Sequence, residues 1–291
     1  MADPTGSIEQ ASPTSGWQRF WGRGGWWRAF LFAALYIAVY LGVGRLVGLL
    51  GQGPDSPDEL LDSAGSVFFG LALPILVMSV LLLVFLRSMR WRREVFGPQP
   101  VAGRPWMWGA VALVLAPIAL HLVGTSWSSY SPTVVLTVLF LGLCIGFAEE
   151  VLTRGVAVTM LRRAGYGEKA VMVLSSLLFA LLHASNALSG QALLTVGTTI
   201  VFAFGFGTMM YLSMRVTGSI VPAILLHAAT DPTTILATGG VDTHGTSAGA
   251  ESINALAGTF NIVFVVAAVV AVFLVSGRAR ALDTAPATSR P

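Results

Sequence analysis

The stretch TVVLTVLFLGLCIGFAEEVLTR, residues 133–154, decides the fold. Its first sixteen residues carry no charge, and Glu149, Glu150 and Arg154 then arrive within six positions. A helix needs about 20 mostly apolar residues to cross a bilayer. A helix on the surface of a soluble domain would show a polar face, and this run shows none. The composition of the whole chain agrees. Of its 291 residues, 55% are hydrophobic and 11% charged, against about 25% charged in soluble domains. So few charges cannot cover a water-facing surface. The expectation is an all-α, polytopic membrane helical bundle of about eight transmembrane helices.

Eight segments meet the length criterion: 29–50, 66–86, 106–123, 133–153, 170–188, 193–213, 219–236 and 255–276. Basic residues orient them, because Lys and Arg collect in cytoplasmic loops. Arg19, Arg23 and Arg28 precede the first segment; Arg87, Arg90, Arg92, Arg93 and Arg104 separate the second and third. Arg154, Arg162, Arg163 and Lys169 fall between the fourth and fifth, counting Arg154 at the helix end. Arg215 separates the sixth and seventh, and Arg278, Arg280 and Arg290 follow the eighth. Eight crossings place 16 of the 17 basic residues on one side, with Arg45 the exception. The other side carries Asp55, Asp58, Glu59, Asp62, Asp242 and Glu251. Both termini are therefore expected in the cytoplasm.

The expected organisation follows. Residues 1–28 form a cytoplasmic tail ending in an interfacial Trp/Arg segment, with Trp17, Trp21, Trp26 and Trp27 among Arg19, Arg23 and Arg28. The first 16 residues are polar and show no leader peptide. Residues 29–123 hold three peripheral helices, 133–236 a core carrying the chemistry, 255–276 the last helix and 277–291 a second cytoplasmic tail. The single Cys144 excludes an intrachain disulfide and reads as packing. Sixteen arginines against one lysine suggest a GC-rich bacterial genome, hence a bacterial plasma membrane. The net charge of +3 forms no patch, so no nucleic acid is expected as a partner. The expected partners are membrane lipids and a membrane-associated protein or peptide.

A charge at the bilayer centre costs about 2.5–3.5 kcal/mol, so such residues face the protein interior and mark function. Three clusters occur here, each built on an i,i+4 pair. Glu150 and Arg154 share one helix face and can pair, while Glu149 points about 100° away and keeps a carboxylate for chemistry. Gly142 and Gly146, one turn upstream, allow another helix to come close. Phe179 and His183 form the second pair, His227 and Asp231 the third. Counted from Arg162, Lys169 and Arg215, Glu150, His183 and His227 lie 12, 14 and 12 residues deep. At 1.5 Å per residue they share one level of the membrane, about 20 Å in. His121 ends the third segment without an acidic neighbour and His244 lies in a Gly/Ser/Thr-rich outer loop, so both read as structural or solvated.

Carboxylates and imidazoles at one level suit hydrolysis by an activated water. A desolvated Glu can act as general base, and a His can share the water by hydrogen bonds. Glu149, His183 and His227 could instead hold zinc or another divalent metal with an open position. H-E-x-x-H is absent, and no Asp pair lies in the spans. A proton-coupled transporter or a non-catalytic immunity or scaffold protein remains an alternative use of the same cluster.

Glu149-Glu150…Arg154, Phe179…His183 and His227…Asp231, with the run Arg215 to His227, resemble the CAAX-protease and bacteriocin-processing (CPBP, or Abi) family of intramembrane proteases. The resemblance covers about residues 133–235. It implies an α-helical membrane endopeptidase acting on lipidated CAAX-like proteins or on peptides, with a metalloprotease label that is disputed. By this likeness Glu149 and His183 would activate water, Glu150 and Arg154 would support them, and His227 with Asp231 would form the oxyanion site. The family's last position is often Asn; an ionised Asp231 cannot donate a hydrogen bond.

Overall fold

The computed structural model describes residues 15–50, 54, 59–241 and 251–279. Asp55, Asp58, Asp242, His244, Arg280 and Arg290 lie outside the described residues, as do residues 1–14. Among the described residues eight helices are long and apolar enough to cross a membrane: α1 (Trp26–Leu49), α2 (Ala64–Met89), α3 (Pro105–Gly124), α4 (Pro132–Arg163), α5 (Glu168–Leu188), α6 (Leu193–Thr217), α7 (Ile220–Thr238) and α8 (Glu251–Leu274). No strand occurs among them. The chain is an integral membrane protein of helical-bundle fold.

Seven of the eight helices keep the expected bounds within a few residues. The exception is α4, which runs ten residues past the expected end at 153. Arg154 is not a boundary cation. Its side chain is fully buried and paired inside the protein, so nothing stops the helix there. Residues Val151–Ala157 form a π-helical turn, every residue of it buried, and α-helix resumes to Arg163. A π turn inside an α-helix is rare and frequent at functional sites. Thr153 donates its hydroxyl to the Glu149 carbonyl at 2.6 Å, which serves a backbone acceptor where the turn widens.

The bundle is organised around α4. Its most extensive partner is α7, with α2 and α1 on other faces. α6 packs on α5 and α8, and α3 closes the bundle against α6, α7 and α8. The α4–α7 contact is close because Gly142 and Gly146 supply no side chain. A Cβ on Gly146 would stand 2.6 Å from the Ala228 nitrogen and 2.7 Å from the Ile224 oxygen; one on Gly142 would meet Ala228 and Pro232 at 2.6 Å. The G-x-x-x-G spacing thus works as expected, and it sets α7 against α4 at His227.

At the Arg-bearing end, a buried ionic clasp joins distant segments. Arg162 grips Glu168 with Nε and Nη2, both at 2.8 Å, and donates Nη1 to Gln99 at 2.8 Å. Arg215 donates to Glu168 at 2.8 Å and to the Val101 and Ala102 carbonyls. The Tyr211 hydroxyl donates to the same carboxylate. The Glu168 amide donates to the Gly277 carbonyl, which ties in the chain beyond α8. Arg162 and Arg215, read from sequence as loop cations, are structural ions instead. Before α1, a short helix Gly16–Gly22 lies against α2. Trp21 is buried there among Trp17, Phe32 and Phe85, so it is a core residue, while Trp17, Trp26 and Trp27 stay exposed.

Candidate active site

The three sequence clusters meet at one imidazole. His227 of α7 places Nδ1 2.9 Å from Glu150 Oε1 of α4. A carboxylate only accepts, so Nδ1 carries the hydrogen. The same Oε1 accepts from Arg154 Nη1 at 3.1 Å. On the opposite edge of the ring, Nε2 lies 3.4 Å from Asp231 Oδ2 and 3.9 Å from Glu149 Oε2. An imidazolium here has an anionic partner at each nitrogen.

The surroundings divide the site in two. The side chains of Glu150 and Arg154 are fully buried and that of His227 is 2% exposed. Those of Glu149 and Asp231 are 24% and 25% exposed. Glu150, Arg154 and the Nδ1 edge form a sealed backing, while Glu149, Asp231 and the Nε2 edge face an opening. The expectation that Glu150 pairs with Arg154 and that Glu149 turns elsewhere is met. His183 reaches the centre through Phe179, whose ring is edge-on to His183 at 5.3 Å and to His227 at 5.6 Å. The Phe179 carbonyl lies 3.3 Å from His183 Nδ1, which assigns the hydrogen to Nδ1 and leaves Nε2 as the basic nitrogen.

α6 contributes two residues that the sequence did not single out. The Phe206 ring stands edge-on to His227 at 5.0 Å. The Gly207 carbonyl accepts from Arg154 Nη2, and a Cβ on Gly207 would meet Arg154 Nη2 at 2.8 Å and the Phe179 ring at 3.0 Å. The Arg154 guanidinium in turn lies 4.7 Å from the Phe179 ring centroid. The one available signal was Gly205-Phe206-Gly207 inside an apolar helix, where glycine costs about 1 kcal/mol relative to alanine and implies a packing reason. The buried Tyr36 of α1 also lies within electrostatic reach of Glu149. Nothing in its neighbourhood in sequence marks it. Cys144 is buried packing, and His121 sits by Thr234 at 3.3 Å, away from the acids.

Among the described residues no group of three His, Cys, Asp or Glu side chains is placed to hold a metal ion. Both histidines turn Nδ1 to protein oxygens, which leaves each Nε2 as the nitrogen that can meet a water, a substrate oxygen or a metal ion.

Residues 131–233 match the family model described as type II CAAX prenyl endopeptidase Rce1-like. The matched segment holds all six candidate residues, and the match is consistent with the CPBP resemblance read from the motifs. The match spans 103 of the chain's 291 residues, and its description names a CAAX-type endopeptidase. No curated protein and no solved structure matches the chain.

Proposed function

We propose that the chain is an intramembrane endopeptidase that hydrolyses a peptide bond in a membrane-associated or lipidated, CAAX-like protein. The observation that carries this reading is the polarity of His227: Nδ1 is locked on a buried, Arg-neutralised carboxylate, and Nε2 faces two accessible carboxylates. Such an arrangement suits proton transfer and oxyanion binding on one side only.

Glu149 takes a proton from water, and the hydroxide oxygen attacks the carbonyl carbon. His183, with Nε2 unprotonated, shares the orientation of that water. The carbonyl oxygen becomes an oxyanion and accepts the Nε2–H of protonated His227. Asp231 need not donate. At 3.4 Å its contact is long for a charge-assisted hydrogen bond, usually about 2.7–2.9 Å, so the Nε2–H is open to a substrate oxygen while the carboxylate balances the ring's charge. Collapse of the intermediate breaks the C–N bond, and the proton held by Glu149 passes to the leaving amine.

The test compares membrane peptides from cells carrying the wild-type chain with those from cells carrying Glu149→Gln or His183→Ala. A C-terminal or near-membrane fragment present only with the wild type is expected. If both variants insert, fold and still release it, the proposal fails. A transporter or a non-catalytic scaffold would leave the peptide pool unchanged in all three.

A further inference from the structure

The Arg-bearing ends of α3, α6 and α8 enclose an apolar groove of about 200 Å³, lined by Trp106, Gly109, Leu113, Met209, Ala267 and Leu274 among others. Every named residue lies within the nine residues nearest that end of its helix. Trp106 and Leu274 are exposed, so the groove opens sideways, where a membrane protein meets hydrocarbon. None of the lining residues is charged.

The rim is different. Arg104, two residues before Trp106, donates Nη2 to Ser276 Oγ at 3.3 Å, and Ser276 lies two residues past Leu274. The guanidinium therefore bridges the two chain segments that lead into the lining residues Trp106 and Leu274. Arg278 follows two residues later and is exposed, like Arg104. The described carboxylates at this end are already engaged: Glu94 with Arg163, and Glu168 with Arg162 and Arg215. Among the described residues neither Arg104 nor Arg278 forms an ion pair. Trp106 and Trp108, both exposed, suit the headgroup level of a bilayer.

We propose that this groove seats one acyl chain of an anionic phospholipid whose headgroup phosphate lies on Arg104 and Arg278. An apolar slot beside cations that have no carboxylate partner among the described residues fits both halves of that molecule. Basic pockets between membrane helices bind anionic headgroups for the same reason.

Native mass spectrometry of the full chain, released from micelles carrying phosphatidylglycerol or phosphatidylcholine, tests this. Retention of one phosphatidylglycerol is expected, preferred over phosphatidylcholine by about fivefold for each arginine engaged. Arg104→Gln with Arg278→Gln removes the preference. Gly109→Leu fills the slot and removes retention of either lipid; a Cβ there meets nothing within 4 Å, so the helix accepts the side chain. Equal retention of the two lipids by the wild type overturns the proposal, and that arm needs no variant to fold. Unchanged retention in a folded Gly109→Leu also overturns it. So does equal binding of glycerol phosphate alone, which would mark a soluble-phosphate site.

Discussion

Five ionisable side chains and Phe179 were legible in the sequence as three i,i+4 pairs, with Glu149 beside the first, and each pair forms. What local spacing could not tell is which partner each member finds across the bundle. His227 belongs with Glu150, 77 positions away, and His183 enters through a phenylalanine. Two predictions belong at this scale. Asp231→Asn keeps the side chain's shape and removes its charge. Cleavage should fall by no more than about tenfold, the worth of one ordinary hydrogen bond. Asp231 would instead have to act as the base if the amide variant were as inactive as Glu149→Gln. Glu150→Ala leaves the Arg154 guanidinium buried and unpaired, which destabilises by about 3–5 kcal/mol. Thermal unfolding in detergent should therefore separate it from Glu149→Gln, which disturbs chemistry alone.

At the scale of elements, apolar length and arginine placement were enough to find eight helices. They failed at α4 because Arg154 carries the same letter as a loop arginine. Its partners, the Glu150 carboxylate and the Gly207 carbonyl, 53 residues on, let a buried guanidinium sit in mid-helix. α6 stayed silent for a related reason: Phe206 looks like any membrane phenylalanine until α7 is laid beside it. The α4–α7 and α4–α6 approaches now make a common prediction. Gly146→Ala and Gly207→Ala each place a Cβ under 3 Å from a neighbour. Overpacking of this kind costs about 1–3 kcal/mol. Both should lower stability and cleavage together, whereas Gly109→Ala, with open space around it, should lower neither.

For the whole molecule, the clasp around Glu168 gathers α4, α5, α6, the 99–102 strap and the chain after α8. The positive-inside pattern hid it, since Arg162 and Arg215 satisfy that rule as loop residues and yet are buried. Glu168→Gln leaves two guanidiniums without their anion and should destabilise by about 3–5 kcal/mol. Glu94→Gln, in the partly exposed pair with Arg163, should change stability by about 1 kcal/mol or less. Equal melting temperatures for the two variants would contradict the burial described for Glu168.

The glycine face that seals Glu150 and His227 against each other has a further consequence for what can be cut. In the proposed mechanism, water and substrate come in on the partly exposed side, past Glu149 and Asp231. A membrane helix keeps its carbonyl oxygens inside its own ladder, so a scissile bond in an intact turn cannot reach the single donor edge of His227. Peptides already unwound at the cleavage point, by a proline or by nearness to a chain end, are the ones such a cleft can process. Introducing a helix-favouring run around the cleavage point should then protect a substrate that carries every other recognition feature.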